Sequence, residues 1–340
     1  MMKDERRRPH DEAVPEDGIR GTGAGKPDPR CASRLVIPRP FIIHHSSFII
    51  RQFLELVRFS HTLFALPFAL LAAAMAWKLS LASEPPVPFR WQDLVGILVC
   101  MVFARSAAMA FNRLADRRLD GLNPRTAARH IPAGALGATG VAAFTAVCSL
   151  GFVAGTLLFL PRNPLPLYAA VPLLAFLFAY SFTKRWTALS HFWLGTALGL
   201  APLAAWVALR AEVAWAPVLL GGAVLLWVAG FDMIYACQDV AFDVKMRLSS
   251  APARWGVRAA LRLAAFCHLG MVVLLAILPL VYAPFGAIYL AGILAIAILL
   301  VYEHSLVRPD DLTRVNRAFF HVNAVVSIGL FVVGTIDLLR

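Results

Sequence analysis

Charge is scarce in this chain. Of its 340 residues only 15% are Asp, Glu, Lys or Arg, against roughly 25% in a water-soluble domain. Hydrophobic residues make up 59% and the mean hydropathy is +0.70, more apolar surface than one soluble core can hide. Acidic residues are the scarcer sign, 20 against 32 Lys and Arg. The basic excess is dispersed through apolar sequence and builds no recognition module with interleaved aromatics, which excludes a nucleic-acid partner. Cysteine is sparse too. Cys31, Cys100, Cys148, Cys237 and Cys267 are odd in number, far apart and free of any C-x-x-C pair, which excludes a disulfide framework and a structural zinc site. The same composition excludes a disordered or fibrous chain. An all-α integral membrane protein remains, because the apolar runs are long enough for helices rather than barrel strands.

Residues 1–50 differ from the rest. Met1 to Arg34 is charged, rich in Pro and Gly and without an apolar period, and is expected to be a disordered or poorly structured extension. Its Gly21-Thr22-Gly23-Ala24-Gly25-Lys26 run lacks the first glycine and the final Ser or Thr of a phosphate loop, because Arg20 and Pro27 stand there. The apolar run Phe41 to Ile50 is too short to span a bilayer and has no small-residue cleavage site, so no signal peptide is expected.

Residues 51–340 read as one domain of nine transmembrane helices. Apolar stretches long enough to span recur near 60–81, 92–115, 136–160, 165–183, 189–209, 214–236, 257–281, 284–303 and 317–338. Gly195 and Gly199 offer a small-xxx-small face for close helix packing. Arginines crowd alternate loops: Arg113, Arg117, Arg118, Arg125 and Arg129; Lys184 and Arg185; Lys245, Arg247, Arg254 and Arg258; Arg308, Arg314 and Arg317. The intervening loops are nearly bare. The positive-inside rule puts the arginine-rich loops and the N-terminus in the cytoplasm and the C-terminus outside.

Topology does not explain two acidic motifs. Asn112, Asp116 and Asp120 recur at i, i+4, i+8, one stripe on a helix. Asp239 and Asp243 repeat the spacing, with Tyr235 and Asp232 continuing the stripe into the membrane. Carboxylates one turn apart repel unless a cation lies between them. An all-oxygen set with few protein ligands suits Mg2+, which keeps waters and takes phosphate oxygens. Two such pairs facing each other would hold two ions on one diphosphate, with arginines as phosphate clamps. The other explanation is solvated charge at helix ends, ion-paired to neighbouring arginines. The duplication counts against it, as does Asp232, an acid inside a span.

These residues resemble the signatures of the UbiA membrane prenyltransferases. Asn112-x-x-x-Asp116-x-x-x-Asp120, with Asn123-Pro124-Arg125-Thr126 and Ile131-Pro132-Ala133-Gly134, is similar to the first. Asp232-x-x-Tyr235-Ala236-x-x-Asp239-x-x-x-Asp243 is similar to the second, and Tyr180-x-x-x-Lys184 resembles a further element. Arg58-Phe59-Ser60-His61-Thr62 and Ser190-His191-Phe192 resemble the 4-hydroxybenzoate polyprenyltransferase branch. The resemblance implies a nine-helix bundle that transfers a polyprenyl group from polyprenyl diphosphate to 4-hydroxybenzoate, in ubiquinone-type quinone synthesis. A dihydroxynaphthoate acceptor in a menaquinone route is the alternative. It implies Mg2+ held by Asn112, Asp116 and Asp120 and by Asp239 and Asp243, with Tyr180 and Lys184 on the diphosphate. Metal and basic groups would stabilise the departing charge. The implied partners are polyprenyl diphosphate, a small aromatic acid and the lipid bilayer, with no obligate protein partner. The implied setting is a bacterial-type inner membrane, with the active site facing the cytoplasm.

Arg125 is either a further diphosphate ligand or a topology signal. Arg58, at the start of the first span, could hold an aromatic carboxylate or anchor to lipid headgroups. Asp232 could take the ring proton or support the metal ligands. His61 and His191 could touch substrate or serve packing and interface roles. Two rivals fit less well. A CDP-alcohol phosphotransferase would gather its acids in one segment, and an ion-coupled transporter would place its charged site near the bilayer midplane.

Overall fold

The computed structural model describes residues 52–53, 55–56, 64–86, 88–312, 315 and 321–340. The expected N-terminal extension, Arg58, His61, Arg314 and Arg317 lie outside the described residues. The chain divides into two units, 1–45 and 46–340, and all that follows concerns the second.

The described residues form helices and no strand: α1 Leu66–Leu81, α2 Trp91–Leu122, α3 Ala138–Thr156, α4 Leu165–Thr183, α5 Ser190–Arg210, α6 Trp215–Ala236, α7 Val240–Lys245, α8 Ala251–Trp255, α9 Val257–Ile277, α10 Ala287–Ser305 and α11 Asn323–Leu338. Seven are long and apolar enough to cross a membrane: α2, α3, α4, α5, α6, α9 and α10, counting the short continuations of α3, α6 and α9. The apolar helices α1 and α11 have 16 described residues each, below the length of a full span. The described residues therefore reach seven full spans rather than the expected nine.

Burial follows the membrane pattern. Val147, Leu150, Val171, Phe266, Leu294 and Val301 stand exposed on outward helix faces, where lipid rather than water suits them. Trp91 and Trp215 open α2 and α6, and Trp186 and Trp255 lie at the opposite ends of the spans, all four exposed. Amphipathic rings at both ends are what the two membrane–water interfaces select.

The main core joins α1, α5, α6 and α9–α11 around Phe68, Trp206, Trp227 and Tyr289. A smaller core holds α2, α3 and α4 together through Ala107, Cys148, Phe152, Ala170 and Leu174. Helices α5 and α6 pack backbone to backbone. A Cβ at Gly195 would strike the Leu225 carbonyl, and one at Gly199 would strike that of Gly221, so the small-residue face expected on α5 is used. The ends of α2, α4 and α6 meet the start of α5 at one end of the bundle.

Candidate active site

The first acidic motif lies on one helix, as its spacing predicts, and that helix runs on to Leu122, past the span end expected near residue 115. Helix α2 runs 32 residues, about 48 Å at 1.5 Å per residue. The hydrocarbon layer is about 30 Å thick, so the last turns of α2 extend past it and display Asn112, Asp116 and Asp120 as one stripe. The second motif departs from the expected continuous stripe. Helix α6 ends at Ala236, a tight 3-10 turn covers Cys237–Asp239, and α7 restarts at Val240. The turn breaks the four-residue register between Tyr235, Asp239 and Asp243. Cys237 is buried beneath it, its thiol donating to the Met233 carbonyl at 3.3 Å.

Both motifs nevertheless face one polar cavity of about 180 Å³. Asn112, Asp116, Tyr180, Lys184, Asp232, Asp239 and Asp243 all line it. Every acid of the two motifs has a basic or hydroxyl partner. Asp116 meets Lys184 Nζ and Arg185 Nη2, both at 3.1 Å. Arg129 donates to Asp120 Oδ1 at 2.6 Å, and Ser250 Oγ donates to Asp243 Oδ2 at 2.6 Å. Asp239 is clamped by the Arg125 guanidinium, which also donates to the Tyr235 hydroxyl at 2.8 Å. Burial works against the charge on Arg125, but these bonds outweigh it and hold its pKa above the usual value.

A second cavity of about 380 Å³ adjoins the first and is almost wholly apolar. It follows α2 from Ile97 to Arg113, about 24 Å along the helix axis. Phe64, Met101, Phe152, Leu173, Leu198 and Phe231 are among its walls. Asn112, Arg113, Arg129, Tyr180, Asp232 and Tyr235 line both cavities. The two cavities thus form continuous space, polar at the bundle end and apolar at membrane depth.

Residues 65–325 match the UbiA prenyltransferase family. The chain belongs to this family. Among curated relatives, the 4-hydroxybenzoate octaprenyltransferase of Thiobacillus denitrificans is 33% identical over 247 residues, 72% of this chain and 81% of that protein. The protein of the same name from Vibrio vulnificus is 30% identical over 263 residues, 75% of this chain and 89% of its own length. A UbiA homolog from Aeropyrum pernix superposes with a TM-score of 0.70 at 31% identity, covering 81% of this chain and 97% of that one. A UbiA homolog from Archaeoglobus fulgidus bound to GPP and Mg2+ shares the fold, with a TM-score of 0.65 at 20% identity over 85% of this chain and all of that one.

The residues present in this UbiA-family chain fit Mg2+. Asp120 Oδ2 is buried without a hydrogen-bond partner among the described residues. Asn112 gives its amide N–H to Asp116 Oδ2 at 3.3 Å and to Ser181 Oγ at 3.4 Å, which leaves its amide oxygen for a cation. No three acidic, His or Cys side chains converge on one point among the described residues. Mg2+ needs only one or two carboxylates and completes its shell with water and phosphate.

Not every expected residue reaches the cavity. Asp120 and Arg125 are not among its lining residues, whereas Arg113 and Arg129 are. Arg105 was not anticipated at all. It lies on α2 inside the apolar chamber, two turns deeper than Asn112, with a buried Nε that has no partner among the described residues. Its signal was present in the sequence, a cation in the middle of an apolar span, which marks a candidate site. His191 and Ser250 also line the polar cavity.

Proposed function

We propose that this chain transfers a polyprenyl group from polyprenyl diphosphate to a small aromatic acid, 4-hydroxybenzoate, in ubiquinone-type quinone synthesis. The observation that carries the reading is the junction of an acid- and base-lined cavity with an apolar chamber through shared residues. The diphosphate sits in the first and the isoprenoid in the second. Asn112, Asp116, Asp120, Asp239 and Asp243 hold Mg2+, which when bound neutralises the diphosphate and favours its departure. Lys184, Arg113 and Arg129 present N–H donors to the phosphate oxygens, and Tyr180 presents its hydroxyl where the cavities meet. Arg105 receives the acceptor's carboxylate, because its buried Nε has no partner among the described residues and a guanidinium is satisfied by a planar anion. The surrounding apolar wall excludes water from the allylic centre. The catalytic domain spans residues 51–340, apart from the N-terminal extension.

Membranes carrying the chain, given Mg2+, a polyprenyl diphosphate and each acid in turn, test the reading. Diphosphate release with prenylated 4-hydroxybenzoate is expected. Turnover with a dihydroxynaphthoate alone would move the acceptor to the menaquinone route, and no diphosphate release with either acid would remove the reading.

The site faces the cytoplasm of a bacterial-type inner membrane, on the side where the arginine-rich loops gather. A cysteine placed at Thr187, on a background without native cysteines, should resist an impermeant thiol reagent added from outside until the membrane is opened. Labelling of intact cells would reverse the orientation.

A further inference from the structure

We infer that His191 is a positioning residue that fixes Asp232 as the acceptor of the ring proton, and that the segment Ser249–Ala251 holds His191 in place. The inference rests on the function proposed above and deepens it. His191 sits in the first turn of α5 and is buried. Its Nδ1 is 2.7 Å from Asp232 Oδ2, and the backbone N–H of Ala251 donates to its Nε2 at 3.2 Å. A backbone amide can only donate, so Nε2 presents its lone pair. The proton of a neutral imidazole is then on Nδ1 and is given to Asp232. The close pair is therefore a hydrogen bond from a neutral ring, not an ion pair.

Both ring nitrogens of His191 are committed, so the ring neither takes the substrate's proton nor ligates a cation. What it does is orient its neighbour. Asp232 Oδ2 is held, while Oδ1 has no hydrogen bond among the described residues. Asp232 lines both cavities, at the place where the first carbon of the prenyl chain meets the acceptor ring. In the step, the allylic C–O bond breaks with its electron pair leaving on the diphosphate. A ring π pair makes the new C–C bond. The C–H bond at that carbon then gives its pair back to the ring, and its proton goes to Asp232 Oδ1.

Three consecutive residues brace this arrangement. Ser249 N–H donates to the Lys184 carbonyl at 2.7 Å, Ser250 Oγ to Asp243 at 2.6 Å and Ala251 N–H to His191 at 3.2 Å. One short segment thus ties together the lysine that meets Asp116, the second acidic motif and the support of the base. The proton acceptor and the diphosphate site share a single backbone anchor.

Kinetics of the full-length chain in membranes, with polyprenyl diphosphate and 4-hydroxybenzoate, test the role. His191→Gln keeps one donor for Asp232 and one acceptor for Ala251. His191→Met has nearly the same length and shape with no donor. Removal of an orienting partner costs about 10- to 100-fold, so His191→Met should lose that factor in kcat. Its KM for the diphosphate should stay within about twofold, because ground-state binding does not use the pair. His191→Gln should stay within about threefold of the parent kcat. A wild-type kcat in His191→Met, or a glutamine variant no better than the methionine one, overturns the role while leaving the proposed function standing. A parent chain without diphosphate release overturns both.

Discussion

Asp116→Asn and Asp239→Asn should each lower prenyl transfer by about 100-fold or more, because cation stabilisation of a leaving diphosphate supplies several kcal/mol. Asparagine keeps the size and one oxygen of aspartate but removes the charge that binds the ion. The two acids sit on different segments, Asp116 on α2 and Asp239 in the turn after α6, with different basic partners, Lys184 and Arg185 for Asp116 and Arg125 for Asp239. Neither can take over for the other. The double variant should nevertheless cost much less than the product of the singles, since residues that act as a unit are not additive. Asp120→Asn should respond in another way. Arg129 holds one of its carboxylate oxygens and the other, without a partner among the described residues, is open to the ion, so its loss chiefly weakens ion affinity, and excess Mg2+ should restore part of the rate. Polyprenyl transfer measured against Mg2+ concentration in these variants checks all three expectations. Near-normal turnover in both Asp116→Asn and Asp239→Asn would leave the two motifs as solvated helix-end charge.

Arg105→Leu should raise the KM for the aromatic acid by about 10- to 100-fold, the equivalent of a charge-assisted hydrogen bond of about 1.5–3 kcal/mol. Arg105 lies in the apolar chamber away from the acidic motifs, so the KM for the diphosphate should change little. A phenol without a carboxylate provides the control. It should react poorly with the parent chain and no worse with the variant, because the contact that Leu removes is one the phenol never makes. Initial rates across acid concentration in both chains decide it. An unchanged KM for the acid would return Arg105 to a purely structural place in the bundle.

The parts of the site that a regular period carries were legible in the sequence. Asn112, Asp116 and Asp120 share a face because α2 is an uninterrupted helix through Leu122, and no tertiary information is needed to see it. The expected span ends near residue 115 because hydropathy falls where the helix leaves the hydrocarbon, while its backbone bonds continue to Leu122. The second stripe was only half legible. The 3-10 turn at Cys237–Asp239 sits in sequence with no Pro or Gly to announce it, so an unbroken four-residue spacing was the natural reading. Arg125 and Arg129 could not be ranked from sequence, since both lie in a run of turns where side-chain direction depends on each backbone angle. The bonds from Ser249 to Lys184 and from Ala251 to His191 join residues 60 or more positions apart, while Ser250 reaches back only to Asp243, and no period encodes any of them. Arg105 is a different case. Its signal was one cation in the middle of an apolar span, which stood out less than the repeated acids beside it.

The shared wall between the polar cavity and the apolar chamber has a consequence for how the substrate is encountered. Asn112, Tyr180 and Asp232 belong to both spaces, so a diphosphate bound there keeps its tail at bilayer depth throughout. The lipid substrate need never leave its solvent, which is the membrane, and only the aromatic acid arrives through water. The rate is then governed by the mole fraction of prenyl diphosphate in the lipid phase rather than by its amount per volume of suspension. Adding inert phospholipid at constant bulk concentrations thins the substrate in two dimensions and slows turnover, whereas diluting the whole suspension with buffer that contains the acid leaves each molecule's rate as it was.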